Sequence, residues 1–192
     1  MAKICRDCNT GFSSDEQYAV AFLGAVLVGT TEPDAQVLDS ARGSLAHSAS
    51  LRQTIDACRA DYVGMDGVAK TLWTPDRKRI GNVVLKNARG HAYFELGEPL
   101  MQAPSAIDFL PYASMQPTQR AAFEAVRSGI DLAGWSEVGS RLLTRMTEGH
   151  DLERGWIVVE PGRYRYSVTQ NGGITVRTVW SEYLATEVIW ED

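Results

Sequence analysis

The sequence predicts an α+β fold, a helical N-terminal part followed by a C-terminal antiparallel β-meander. Two patterns carry this expectation. Ahead of residue 100, apolar side chains recur at helical spacing, as in Tyr18, Phe22, Leu23, Val26 and Leu27. Beyond residue 155, short stretches rich in β-branched and aromatic residues are punctuated by Pro161-Gly162 and Asn171-Gly172-Gly173. The chain has 192 residues, 44% of them hydrophobic, enough for one packed core with room for a second small lobe.

The elements follow in order. Ser13 and Glu16 have capping-box spacing, and Asp15 and Glu16 suit the positive end of a helix, so a helix is expected over 14–28, ending at Gly29. Thr30-Thr-Glu-Pro33 breaks it, and helices are expected over 34–47 and 49–60. Ala69 to Trp73 reads as a short strand. Thr74-Pro75-Asp76 then starts a helix through Asn87, with Gly90 in the position that commonly ends one. His91 to Leu96 reads as a strand, and 97–117, with Gly97, Pro99, Pro104, Pro111 and Pro117, as a loop-rich crossing. Helix resumes from Thr118 to Arg127. Strands are expected at Trp156–Val159, Arg163–Val168, Ile174–Trp180 and Tyr183–Trp190, with a bend near Ser181. The chain therefore divides into a mainly helical part (1–100), the crossing (101–117) and a helix plus antiparallel sheet (118–192), an order that one continuous domain would also accommodate.

The Asn-Gly-Gly turn sets a register. A three-residue loop puts Tyr164, Tyr166 and Val168 on one face with Ile174, Val176, Thr178 and Trp180, whereas a two-residue loop would mix arginines into that face. Only the first option gives one dry face. It leaves Arg163, Arg165 and Arg177 together on the other face, where they form the best candidate binding patch for phosphates or an acidic protein surface. Pairing with Glu182 or Glu187 is the competing use of these arginines. Trp135, Trp156, Trp180 and Trp190 are expected to fill the core.

A net charge of −5 opposes wholesale wrapping of nucleic acid, whose binding draws on neutralised phosphates. It favours a basic protein partner. The longest apolar run, Tyr18 to Val28, contains Gly24 and is shorter than the roughly 20 residues of a membrane span. No membrane association is expected. Three cysteines and no signal-peptide pattern suggest a reducing, cytoplasmic setting.

Cys5 and Cys8 have the Cys-x-x-Cys spacing with which two thiolates grip a tetrahedral metal. Zinc is the metal such a pair would suit, but two ligands are half a site. Cys58, His47, His91 and His150 form no second pair, and the histidines read as surface or packing residues. No P-loop, Rossmann fingerprint or nucleophile elbow occurs, and no cofactor is expected.

Cys5-Arg-Asp-Cys8-Asn9, followed by Phe12-Ser-Ser-Asp15-Glu16, resembles the closing segment of HNH-type treble-clef nucleases. Val84-Leu-Lys86-Asn-Ala88-Arg89-Gly90, Trp135-Ser-Glu137-Val-Gly-Ser-Arg141, Arg163-Tyr-Arg-Tyr166 and Glu182-Tyr-Leu184 resemble bacterial proteins that often carry such an N-terminus. In HNH enzymes a ββα unit holds a divalent metal between hairpin residues and a final His or Asn, and a hairpin His activates water. The resemblance puts Asn9 at that final position. It also implies a hairpin, a catalytic His and a first cysteine pair upstream of Cys5, where this sequence has four residues. The expectation is thus a non-catalytic interaction protein derived from that family, binding a nucleic-acid-handling protein complex. A mobile-element-encoded inhibitor in the manner of anti-CRISPR proteins is one form of it. The alternative is a metal-dependent HNH endonuclease fragment whose upstream hairpin is missing from this chain.

Overall fold

A computed structural model describes residues 6–97, 99–126, 141, 152–170 and 172–191, with 6–12 described as backbone alone. Helices dominate its first part and a six-stranded antiparallel sheet its second, so the fold is α+β. The chain forms two compact units, Met1–Val83 and Val84–Asp192. The division falls inside a helix rather than in the crossing at 101–117.

In the first unit α1 (Arg6–Val28) is followed by a 3-10 turn (Pro33–Ala35), α2 (Asp39–His47) and α3 (Ala49–Asp56). Helix α1 starts earlier than the spacing implied. It stops where expected, because Gly29 takes φ +77° and its N–H bonds to the Ala25 carbonyl. Tyr18, Ala21, Phe22 and Ala25 on one side of α1 are buried, as are Ala41 and Leu45 of α2 and Ile55 of α3. Gly24 permits this approach: a Cβ there would lie 2.4 Å from the Ala41 Cβ and 2.7 Å from Gln36 Oε1. The continuous helix expected over 34–47 is broken at Gln36–Leu38, where the buried Gln36 amide donates to the Thr30 and Glu32 carbonyls. Ser48 caps α3 by accepting from the Leu51 N–H.

The expected helix over 49–60 ends at Asp56, and Arg59–Val63 is a strand, β1, paired antiparallel with β2 (Ala69–Trp73). Asp76 caps α4 (Arg77–Leu96), accepting from the Lys78 and Arg79 N–H groups. This helix corrects two expectations. Gly90 lies in its interior, and His91–Leu96 is helical, with Gly97 at φ +84° as the residue that ends it.

The second unit holds the sheet, in the order β3-β8-β7-β6-β5-β4. Strand β3 (Ala106–Pro111) lies within the expected crossing and pairs with the last strand. Helix α5 (Pro117–Glu124) begins at a proline. Strands β4 (Leu152–Glu153), β5 (Trp156–Glu160), β6 (Tyr164–Gln170), β7 (Gly173–Trp180) and β8 (Leu184–Glu191) form the meander. Its register agrees with the dry-face argument, since Tyr164 faces Trp180, Tyr166 faces Thr178 and Val168 faces Val176. Trp156, Trp180 and Trp190 are buried, while Trp135 lies outside the described residues. No helix among the described residues is long and apolar enough to cross a membrane.

Candidate functional site

The candidate arginine patch is not an open surface. Arg165 and Arg177 do share a face of β6 and β7, but Tyr112, Phe123 of α5, Trp156 of β5, Val179 of β7 and Ala185 of β8 form a buried cluster there. The Arg165 guanidinium makes two bonds to the Glu124 carboxylate, at 2.7 and 2.8 Å, and reaches Glu182 at 3.1 Å. It also lies 4.5 Å from the centre of the Trp156 ring. Burial opposes ionisation of Glu124, but hydrogen bonds from Arg165 and Tyr112 outweigh it and hold this carboxyl below its usual range. Arg177 bonds to Glu187 and donates to the Phe123 carbonyl at 3.1 Å. Arg163 stands apart in the β5–β6 turn, exposed and paired with Glu160. The structure thus uses Arg165 and Arg177 as internal cross-links between sheet and helix.

The opening motif is placed only in part. Cys5 lies outside the described residues, as does His150, and the backbone at Cys8 and Asn9 is helical, within α1. Cys58 is a free thiol that donates to the Thr54 carbonyl and meets the Tyr18 hydroxyl at 3.4 Å. His47 bonds to the Gly43 carbonyl of its own helix. Among the described residues no three His, Cys, Asp or Glu side chains gather to hold a metal ion.

Sequence reasoning missed two features. The first is a buried polar network between α4 and β6. His91 and Glu95, one helical turn apart, meet Tyr164 and Tyr166, two residues apart on a strand. His91 stacks on Tyr166 with ring centres 3.8 Å apart, and burial lowers its imidazole pKa to about 4. The same burial raises the Tyr164 hydroxyl.

The second is the ribbon formed by β1 and β2. Its strands are exposed along their length except at Trp73, whose ring meets Phe22 of α1 edge-on and anchors the base. The strand pairing puts Ala60, Tyr62, Lys70 and Leu72 on one face and Arg59, Asp61, Val63, Ala69, Thr71 and Trp73 on the other. Tyr62, Val63, Met65, Val68 and Leu72 are all exposed, five of the ten exposed large hydrophobic side chains among the described residues. The ribbon's own charges are matched. Asp61 accepts from Thr71 and Arg59, and Asp66 from Lys70 and the Val68 N–H, so both carboxyls are held below their usual range. The alternation at Ala60, Tyr62 and Leu72 was the available signal; the shortness of the strands and the preceding helix pattern obscured it.

No family model, curated protein or solved structure matches this chain.

Proposed function

We propose that this protein acts by binding other proteins rather than by catalysis, as a component or inhibitor of a nucleic-acid-handling complex. The observation that carries this reading is the β1–β2 ribbon, where apolar side chains are concentrated in water. Tyr62 and Leu72 share one face and Val63 lies on the other, so apolar side chains are exposed on both faces of one small element, and concentrations of this kind mark interaction sites. The engagement of Arg165 and Arg177 with carboxylates supports the same reading, because it withdraws from the sheet the cations that would contact phosphates. The nucleic-acid setting, and inhibition in the manner of anti-CRISPR proteins, rest on the likeness of Cys5-Arg-Asp-Cys8-Asn9 to HNH-type closing segments.

The test is affinity recovery with the tagged full chain from the cells that make it. Enrichment of a DNA- or RNA-processing complex is expected. Recovery of no such complex counts against the reading, and plasmid nicking with Mg²⁺ or Mn²⁺ that Asn9→Ala abolishes would overturn it in favour of an HNH nuclease.

A further inference from the structure

We draw no further inference here: the strongest candidate, the exposed apolar side chains of the β1–β2 ribbon at Tyr62, Val63, Met65, Val68 and Leu72, carries nothing beyond the binding role proposed above, because nothing in the structure shows what covers them.

Discussion

His91 Nε2 lies 2.5 Å from the Tyr164 hydroxyl, joining the middle of α4 to the start of β6 across 73 residues of sequence. One helical turn on, Tyr166 donates to Glu95 at 2.7 Å. A helix presents residues four apart on one side and a strand presents residues two apart on one side, so two such pairs meet in register. Ala88 and Ala92 of α4 and Val168 and Val176 of the sheet are also buried.

His91 gives this network a pH dependence. Burial depresses its folded-state pKa to about 4, so the unfolded chain binds its proton first. The His91 contribution to stability is complete above the ordinary histidine range near pH 6.5 and is lost as pH falls towards 4, by roughly 3 kcal/mol. NMR titration should place the imidazole midpoint near 4. Urea unfolding of His91→Phe should show a flatter pH profile over this window. A midpoint near 6.5 would show that the imidazole is not desolvated.

Arg165 is held by Glu124 and Glu182 and lies over Trp156, with 15% of its side chain exposed. Arg165→Ala would strand the Glu124 carboxylate in a partly buried place and should cost about 3 kcal/mol. Arg165→Lys keeps the charge but loses the paired N–H fork, and about 1–2 kcal/mol is expected. Equilibrium unfolding of both variants checks the order. Equal losses would refute the importance of the bidentate geometry.

Gly24 offers a test in which local and tertiary effects oppose each other. In a free helix Gly24→Ala should gain about 1 kcal/mol. Here the added methyl would collide with Ala41 and the Gln36 side chain, so a net loss of about 1–3 kcal/mol is expected from overpacking. A raised melting temperature would mean that α1 and α2 separate at little cost.

Ser181 and Glu182 adopt left-handed backbone conformations, φ +52° and +49°, in the β7–β8 turn. Neither residue type favours that region, whereas Asn tolerates it. Ser181→Asn should therefore stabilise the chain by about 0.5 kcal/mol. Glu182→Gly should gain less, because it removes the carboxylate that Arg165 reaches. Thermal unfolding of the pair reads the difference, and a lower melting temperature for Ser181→Asn would count against backbone strain here.

Much of the fold was legible where the signal is local. Gly29 ending α1, Asp76 opening α4 and the face shared by Tyr166 and Val176 each follow from a few neighbouring residues. Helix α4 was misread at its end because a glycine inside a helix resembles a stop. There Gly90 is retained by the burial of Ala88, Ala92 and Leu96 around it. β3 hid among prolines, which an edge strand ending in Pro111 tolerates. The helix expected over 49–60 overlaps the first two residues of β1, since so short a stretch satisfies either period until a partner strand is known.

By itself the sequence determined the α+β order, the turn at Asn171-Gly172-Gly173 and the parity that puts Arg165 and Arg177 on one face. Only the tertiary structure decided what that face meets. The contacts that engage the arginines and enclose His91 join residues 41 and 73 positions apart, beyond any local pattern. Periodicity fixes the direction of a side chain from its immediate neighbours. Whether it then meets a carboxylate, a ring or water depends on chain closure and packing over the whole unit.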